Sequence, residues 1–452
     1  MNASTSLYTG KSIVVLGLGR SGIAAARLLL RAGAKVTVCD SGESAAIMER
    51  AELLRMEGAI VLTGASAVYD PSRYGLAILS PGIEETTILV TNVTDKCTPL
   101  IGELELAYTL CSCPVIAITG TNGKTTTTEL TSRMLQGAGL RTAVCGNIGT
   151  PMSELIASEE AWDLLVVEVS SFQLETIKTF RPKVALWLNL SPNHLDRYPS
   201  MREYREAKLK IFENQTSEDW AVVSFGENLP EIAARMISFS TKSAEADLTL
   251  RQTTIYYQGN GLLNLTETKL QGAHNAANLM AAFGCGIALG IDLQRMASAV
   301  KDYTPPPHRC ESIKESGGIL WINDSKATNL DAMEQAIRSV DGSLILIAGG
   351  KDKGFDFDTI APLVRERVDF AILIGEMRYR IARDWEGVAL ATVDSLEDAI
   401  ALAADHAISG STVLFSPGTS SFDMFRDYIE RGESFRRCVE EITSTPAMMH
   451  PR

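Results

Sequence analysis

Short apolar runs rich in Val, Ile and Leu recur along the chain at 12–16, 36–39, 76–79, 115–118, 164–167, 184–188, 319–322, 344–347, 370–374 and 412–415. Helical patterns fill the stretches between them. Unbroken apolar runs of this length suit strands covered on both faces. Strands that alternate with helices predict an α/β fold on mostly parallel sheets. Three blocks separate, at residues 1–111, 112–307 and 308–452, and the stiff Pro305-Pro306-Pro307 stretch suits a linker between the second and third. The longest apolar stretch, near 279–291, contains Gly and follows Asn275 and Asn278, and is too short to span a bilayer.

Composition narrows the class. The 452 residues are 45% hydrophobic and 21% charged, an ordinary globular balance. No signal peptide opens Met1-Asn2-Ala3-Ser4, so a cytoplasmic protein is expected. A net charge of −13 argues against a broad basic surface for nucleic acid, and anionic substrates would need basic groups gathered locally in clefts. Eight cysteines are scattered, and Cys111-Ser112-Cys113 has poor spacing for zinc. Mostly buried free thiols are the expectation.

The chemistry lies at strand ends. Run 115–118 feeds Thr119-Gly120-Thr121-Asn122-Gly123-Lys124-Thr125-Thr126, and a helical stretch follows. Small residues there let backbone N–H groups converge on phosphate oxygens, and the new helix adds its positive end. Lys124 would reach the terminal phosphates of a nucleoside triphosphate, and the Thr125 hydroxyl would face Mg²⁺. The strict motif asks for glycine at position 118, where this chain has Ile118. Run 164–167 ends in Glu168, and run 184–188 leads to Asn189 and then Ser191-Pro192-Asn193-His194. In open parallel sheets ligands bind beyond the strands' carboxyl ends. Glu168 and His194 are therefore candidates to face the phosphates and hold Mg²⁺; a strand-end ion pair and a turn-capping histidine are the plainer alternatives. Near the start, Gly17-Leu18-Gly19-Arg20-Ser21-Gly22 matches GxGxxG after a strand, and Asp40 ends the next one. This fingerprint predicts a Rossmann-like domain for a diphosphate with an attached ribose, NAD or another nucleotide. Ser80-Pro81-Gly82 forms another strand-end turn beside it.

With both devices in one chain, the sequence resembles the Mur ligase family of peptidoglycan synthesis. The resemblance spans nearly the whole chain. It rests on the phosphate loop, Gly146-Asn147-Ile148-Gly149, Glu168-Val169-Ser170-Ser171-Phe172-Gln173-Leu174, Asn193-His194-Leu195-Asp196-Arg197-Tyr198, Ala207-Lys208-Leu209-Lys210, His274-Asn275 with Asn278, His308-Arg309, and Asn323-Asp324-Ser325-Lys326-Ala327-Thr328-Asn329. It implies three domains: an N-terminal Rossmann-like domain, a central P-loop ATPase domain with a mostly parallel sheet, and a C-terminal Rossmann-like domain. The implied activity is ATP-dependent addition of D-glutamate to UDP-N-acetylmuramoyl-L-alanine through an acyl phosphate, in the cytoplasm, by a monomer that needs neither nucleic acid nor membrane.

The resemblance also implies residue roles. Gly19, Arg20, Ser21, Asp40, Ser41, Ser80, Pro81 and Gly82 would hold the UDP group, with Asn147 and His194 at the muramoyl substrate. Gly120, Thr121, Asn122, Gly123, Lys124, Thr125 and Thr126 would grip ATP, Asn275 and Asn278 would meet adenine, and Arg309 and Asp324 would complete the nucleotide site, Asp324 at the ribose. Two Mg²⁺ sites would draw on Thr125, Glu168, His194 and Lys208, the last carried as a carbamate. Lys326, Thr328, Ser421, Phe422 and Lys353, or its neighbour Lys351, would form the glutamate pocket. Lys124, Lys208, His194 and His308 would be the catalytic groups; His308 or a phosphate oxygen would take the amine's proton. An NAD-dependent dehydrogenase and a non-catalytic nucleotide-binding regulator are the competing classes.

Overall fold

The computed structural model describes residues 7–67, 70–81, 83, 87–95, 97–194, 197–270, 272–304 and 307–444. Gly82, Leu195, Asp196, Pro305 and Pro306, all singled out above, lie outside them. The chain forms two compact units. One comprises residues 1–189 and 204–303, and the other residues 190–203 and 304–452.

The first unit contains two sheets. Five parallel strands run in the order Ile60–Thr63, Lys35–Asp40, Ser12–Leu16, Leu76–Leu79, Leu100–Gly102. The order reverses between Ser12–Leu16 and Leu76–Leu79, which opens a crevice at their carboxyl ends. The second sheet has nine strands. Its parallel part places Val115–Thr119 between Leu164–Glu168 and Val184–Trp187, with Thr142–Gly146 beyond and Trp220–Ser224, Arg235–Ser240 and Leu248–Arg251 on the other side. An antiparallel hairpin, Thr254–Tyr257 and Asn260–Asn264, closes that edge. Its half-exposed side chains leave no continuous apolar run, so the pattern that revealed the central strands missed it. By contrast Val115–Thr119 and Leu164–Glu168 are buried at every position, as two covered faces require.

The apolar stretch near 279–291 belongs mainly to helix Ala273–Leu289, whose residues from Asn278 to Gly286 are all buried. A helix apolar on all sides belongs in an interior. Among the described residues no helix is long and apolar enough to cross a membrane.

The second unit carries one sheet of six strands, in which the hairpin Glu311–Ser316/Ile319–Asn323 continues into parallel Thr412–Phe415, Leu344–Gly349, Phe370–Ile374 and Leu390–Thr392. All eight cysteines are free. Only Cys39, Cys145 and Cys285 are buried, and Cys97 and Cys310 are exposed, so the thiols are more accessible than expected. Cys111 and Cys113 bring their sulfurs to 3.7 Å.

Candidate active site

Strand register brings the central groups together. Ile118 pairs with Glu168, and Thr119 pairs with Trp187, so both flanking strands end level with the phosphate loop. Gly123 caps helix Lys124–Gly137 at φ 80°, in the left-handed region. A Cβ on it would also come within 2.5 Å of Asn278 Oδ1, so only glycine closes this turn. Asn278 in turn accepts a hydrogen bond from Thr127 Oγ1 at 3.2 Å. It is buried, and Asn275 one turn earlier is half-buried. Thr125 and Thr126 are buried in the first helical turn. Lys124 Nζ curls back over the loop, donating to the carbonyls of Gly120 at 3.0 Å and Thr121 at 2.7 Å.

Glu168 is 2% exposed. Its Oε1 accepts from Asn147 Nδ2 at 2.8 Å, while its buried Oε2 has no hydrogen-bond partner. A buried carboxylate oxygen left unmatched is costly unless something cationic or protic meets it. Lys208, on helix Met201–Leu209, is 1% exposed and donates to Gly120 O at 2.8 Å and more distantly to Thr119 Oγ1 at 3.4 Å. Burial first, and then the positive charge of Lys124, push its pKa well below the usual lysine range, with Glu168 pulling the other way. Its amine is thus biased toward the neutral, nucleophilic form.

The 17–22 loop fills the crevice of the first sheet. A Cβ on Gly22 would come within 2.0 Å of Gly17 O and 2.7 Å of Ser80 Oγ, so helix Arg20–Arg31 approaches the strand too closely for any side chain there. Asp40 Oδ2 accepts from Leu18 N at 2.7 Å and Oδ1 from Gly42 N at 2.8 Å, fixing both the loop and the turn that carries the exposed Ser41. Ser80 Oγ is buried without a partner beside them. Arg20 is largely exposed and lies 3.8 Å from Glu154; Ser21 and Pro81 are half-buried.

In the second unit, Asn323, Ile347 and Phe415 stand in register, so the segments after them leave the sheet at one edge. Asp324 accepts from Cys310 N at 3.1 Å and from Ser416 Oγ at 2.9 Å, and burial raises its pKa to about 6. The charge of Arg309 works against that shift. His308 is 4% exposed, and burial lowers its pKa. Asn323 Oδ1 accepts from Ser325 N and its amide nitrogen donates to Gly432 O, which fixes the amide's orientation. The same nitrogen lies 3.0 Å from His308 Nδ1. Nδ1 must then be the acceptor, and the ring proton sits on Nε2, 3.3 Å from Glu433. Lys326 Nζ donates to Tyr428 OH at 2.9 Å, and Thr328 is half-buried. Lys353 Nζ reaches Asn193 Oδ1 at 3.4 Å, whereas Lys351 is exposed. Ser421 is buried and Phe422 is 67% exposed. His194 also falls in this unit, in the left-handed region at φ 56°, an uncommon conformation for a non-glycine residue.

Sequence comparison decides the family. The Mur ligase middle domain matches residues 118–286, the Mur ligase glutamate ligase domain residues 308–418, and the Mur ligase MurD-like N-terminal domain residues 11–102. The chain belongs to the Mur ligase family. Similar curated proteins include the UDP-N-acetylmuramoylalanine–D-glutamate ligase of Geotalea uraniireducens (strain Rf4), 41% identical over 96% of this chain and 98% of that one. The protein of the same name from Nitratidesulfovibrio vulgaris (strain DP4) is 40% identical over 96% and 97%. Solved structures with the same fold include a pseudomurein peptide ligase type C from Methanothermus fervidus, at TM-score 0.61 and 20% identity over 96% of this chain and 100% of that one. MurF ligase from Thermotoga maritima, solved in complex with ADP, has TM-score 0.61 and 17% identity over 98% of both chains. This Mur ligase is thus a three-domain α/β protein with mostly parallel sheets.

Three residues of this Mur ligase to which the sequence assigned no role also shape these strand ends. Asn189 Oδ1 accepts from the backbone N–H groups of Thr121 and Asn122; its place at a strand's carboxyl end was a usable signal. Tyr204 lies under the Lys208 amine, 4.8 Å from ring centroid to Nζ, with its hydroxyl 3.4 Å from Thr121 Oγ1. Arg431, 1% exposed, donates to the carbonyls of Ser325 and Thr419 and to Ser325 Oγ. It staples two strand-end segments together, and no motif surrounds it.

Proposed function

We propose that this chain catalyses ATP-dependent formation of the amide bond between UDP-N-acetylmuramoyl-L-alanine and D-glutamate, a step of peptidoglycan precursor synthesis. The observation that carries this reading is the meeting of Lys124 and buried Lys208 on the Gly120 carbonyl of the phosphate loop, with buried Glu168 at the end of the neighbouring strand, near enough to act on the Lys208 charge. The relatives' names support the choice of amino acid and acceptor. We assign the substrate-binding, ATP-binding and amino-acid-binding roles to residues 1–111, 112–307 and 308–452, in a cytoplasmic monomer.

A carboxylate acylates poorly because its leaving group would be oxide. Its oxygen therefore attacks the γ-phosphorus of ATP, ADP departs, and an acyl phosphate results. The amine nitrogen of glutamate then attacks the carbonyl carbon, phosphate leaves, and the nitrogen loses a proton. Lys124 and the first-turn amides stabilise charge moving onto the phosphate oxygens. Bound Mg²⁺ would counter the repulsion between the carboxylate and the triphosphate. The orphaned Glu168 Oε2 and the Thr125 hydroxyl are oxygen donors of the kind Mg²⁺ takes. Among the described residues no three His, Cys, Asp or Glu side chains form a metal cage, so this fit rests on Glu168. A second site would use His194 and a carbamate on Lys208, formed when the neutral amine adds to CO₂ and releases a proton. The bias of Lys208 toward that amine supports it. Asn147, anchored at one end by Glu168, would contact the muramoyl substrate. Asn275 and Asn278 would meet adenine, and Arg309 and Asp324 the rest of the nucleoside. Lys326, Thr328, Lys353, Ser421 and Phe422 would receive glutamate, the half-buried Lys353 being favoured over Lys351. Both ring nitrogens of His308 have neighbours, which supports positioning rather than proton transfer, with a phosphate oxygen as the base.

The test is phosphate release from ATP. Release should require both UDP-N-acetylmuramoyl-L-alanine and an amino acid, with D-glutamate preferred over L-glutamate. No release in the complete mixture, or tight NADH binding, would overturn the assignment.

A further inference from the structure

The phosphate loop is held from outside as well as by its own turn. Asn189 follows strand Val184–Trp187 and reaches the loop with its whole carboxamide. Its Oδ1 accepts from Thr121 N at 3.1 Å and Asn122 N at 2.9 Å, and its Nδ2 donates to Asn122 O at 3.1 Å. Asn189 O also accepts from Thr121 N at 3.1 Å. One side chain thus addresses both the N–H and the C=O of Asn122, as a paired strand would. The amides of Thr125 and Thr126 follow directly, in a first helical turn that has no intrahelical carbonyl to offer them.

We propose that Asn189 is a positioning residue for nucleotide binding and phosphoryl transfer: its carboxamide sets the Thr121–Asn122 peptide so that the following amides meet the phosphates in their bound geometry. This rests on the ATP-dependent reading above. Displacing such amides by a fraction of an ångström weakens electrostatic stabilisation that depends on preorganisation. Both backbone groups of Asn122 lean on the same planar carboxamide, so truncating it releases them together.

The experiment compares wild type, Asn189→Ala and Asn189→Asp by direct binding of a non-hydrolysable ATP analogue and by steady-state kinetics. Asp keeps the oxygen that accepts from Thr121 N and Asn122 N, but it loses the donor that holds Asn122 O and brings a negative charge toward the triphosphate. Both variants should weaken analogue binding and raise the KM for ATP roughly 10- to 100-fold, Asn189→Ala because all three side-chain hydrogen bonds to the loop are lost, Asn189→Asp because the one to Asn122 O is lost and a negative charge is added. The KM values for the muramoyl substrate and glutamate should stay at wild-type values, and the melting temperature without nucleotide should fall by only a few degrees, leaving the variants folded at the assay temperature. Unchanged analogue affinity in a folded variant overturns the proposal. So does a uniform loss that tracks the unfolded fraction while every KM is unchanged. If Asn189→Ala does not fold, Asn189→Asp decides. A wild type that binds the analogue but forms no amide sinks the ligase reading alone, because the binding arm still reads Asn189.

Discussion

Replacing Asp324 with asparagine should make the protein more stable and worse at binding ATP. The carboxyl is 7% exposed, and burial raises its pKa from 3.8 to about 6 despite the donors Ser416 and Cys310. A shift of about two units at 1.36 kcal/mol each means that the charged form costs the fold about 3 kcal/mol at neutral pH. The sign follows from proton binding. The folded state holds its proton more tightly than the unfolded chain, so the contribution is most favourable below 3.8 and is lost as pH rises through about 6. The substituted side chain would keep an accepting oxygen for Cys310 N and let the Ser416 hydroxyl turn to accept. Asp324→Asn should therefore gain on the order of 1–3 kcal/mol in denaturant unfolding at pH 7.5, and the gain should vanish near pH 4. The same change removes a charged acceptor proposed for the ribose hydroxyls, so ATP affinity should fall about 10- to 100-fold. Unfolding curves at several pH values with nucleotide titrations at neutral pH make the check. A variant less stable than wild type at pH 7.5, or a gain independent of pH, would refute the burial argument; unchanged ATP affinity would refute the ribose assignment.

Three further tests address the remaining parts. Lys124→Ala and Glu168→Ala should each abolish phosphate release, with far-ultraviolet circular dichroism preserved; wild-type turnover in either would remove that residue from the site. Lys208→Ala should lose turnover and partly recover it with added short carboxylic acids, whose oxygens replace the carbamate; no loss would end that role. Gly22→Ala places a methyl about 2 Å from Gly17 O, an overlap only backbone movement relieves, so UDP-substrate affinity measured by calorimetry should drop at least tenfold, with ATP-analogue affinity unaffected.

What could be read from sequence was whatever has a one-dimensional signature. Strands buried on both faces print as unbroken apolar runs, and glycines forced by close approach print as GxGxxG, so the central strands and both phosphate devices are visible in the sequence itself. The edge hairpin at 254–264 was not, because half-exposed strands mix polar and apolar residues. Site chemistry followed the same division. Lys124 and Glu168 stand at strand ends, where placement alone nominates them. Lys208 had no such mark of its own: a lysine in a polar helix reads as solvated, only the family resemblance nominated it, and its 1% exposure beside Gly120 is legible in three dimensions alone. Arg431 lies about a hundred residues from the serine it holds, a pairing no local pattern encodes.

The acids of helix Glu103–Thr109 show why the block boundary drawn at 111 is not a boundary of packing. Glu105 accepts four hydrogen bonds from residues 178–180, at 2.6–3.0 Å, capping a loop of the middle sheet from the N-terminal block. Glu103 Oε1 accepts from Ser153 N at 2.7 Å, at the start of helix Met152–Ala157. A carboxylate that accepts several N–H donors is charge-assisted at each of them, and removing it strands those donors in a buried seam. These two side chains thus tie the N-terminal sheet to the phosphate-loop sheet inside the compact unit formed by residues 1–189 and 204–303. A ligase that must hold an acid substrate against a triphosphate gains from such a tie, because the two sheet edges then keep their spacing without either substrate bound.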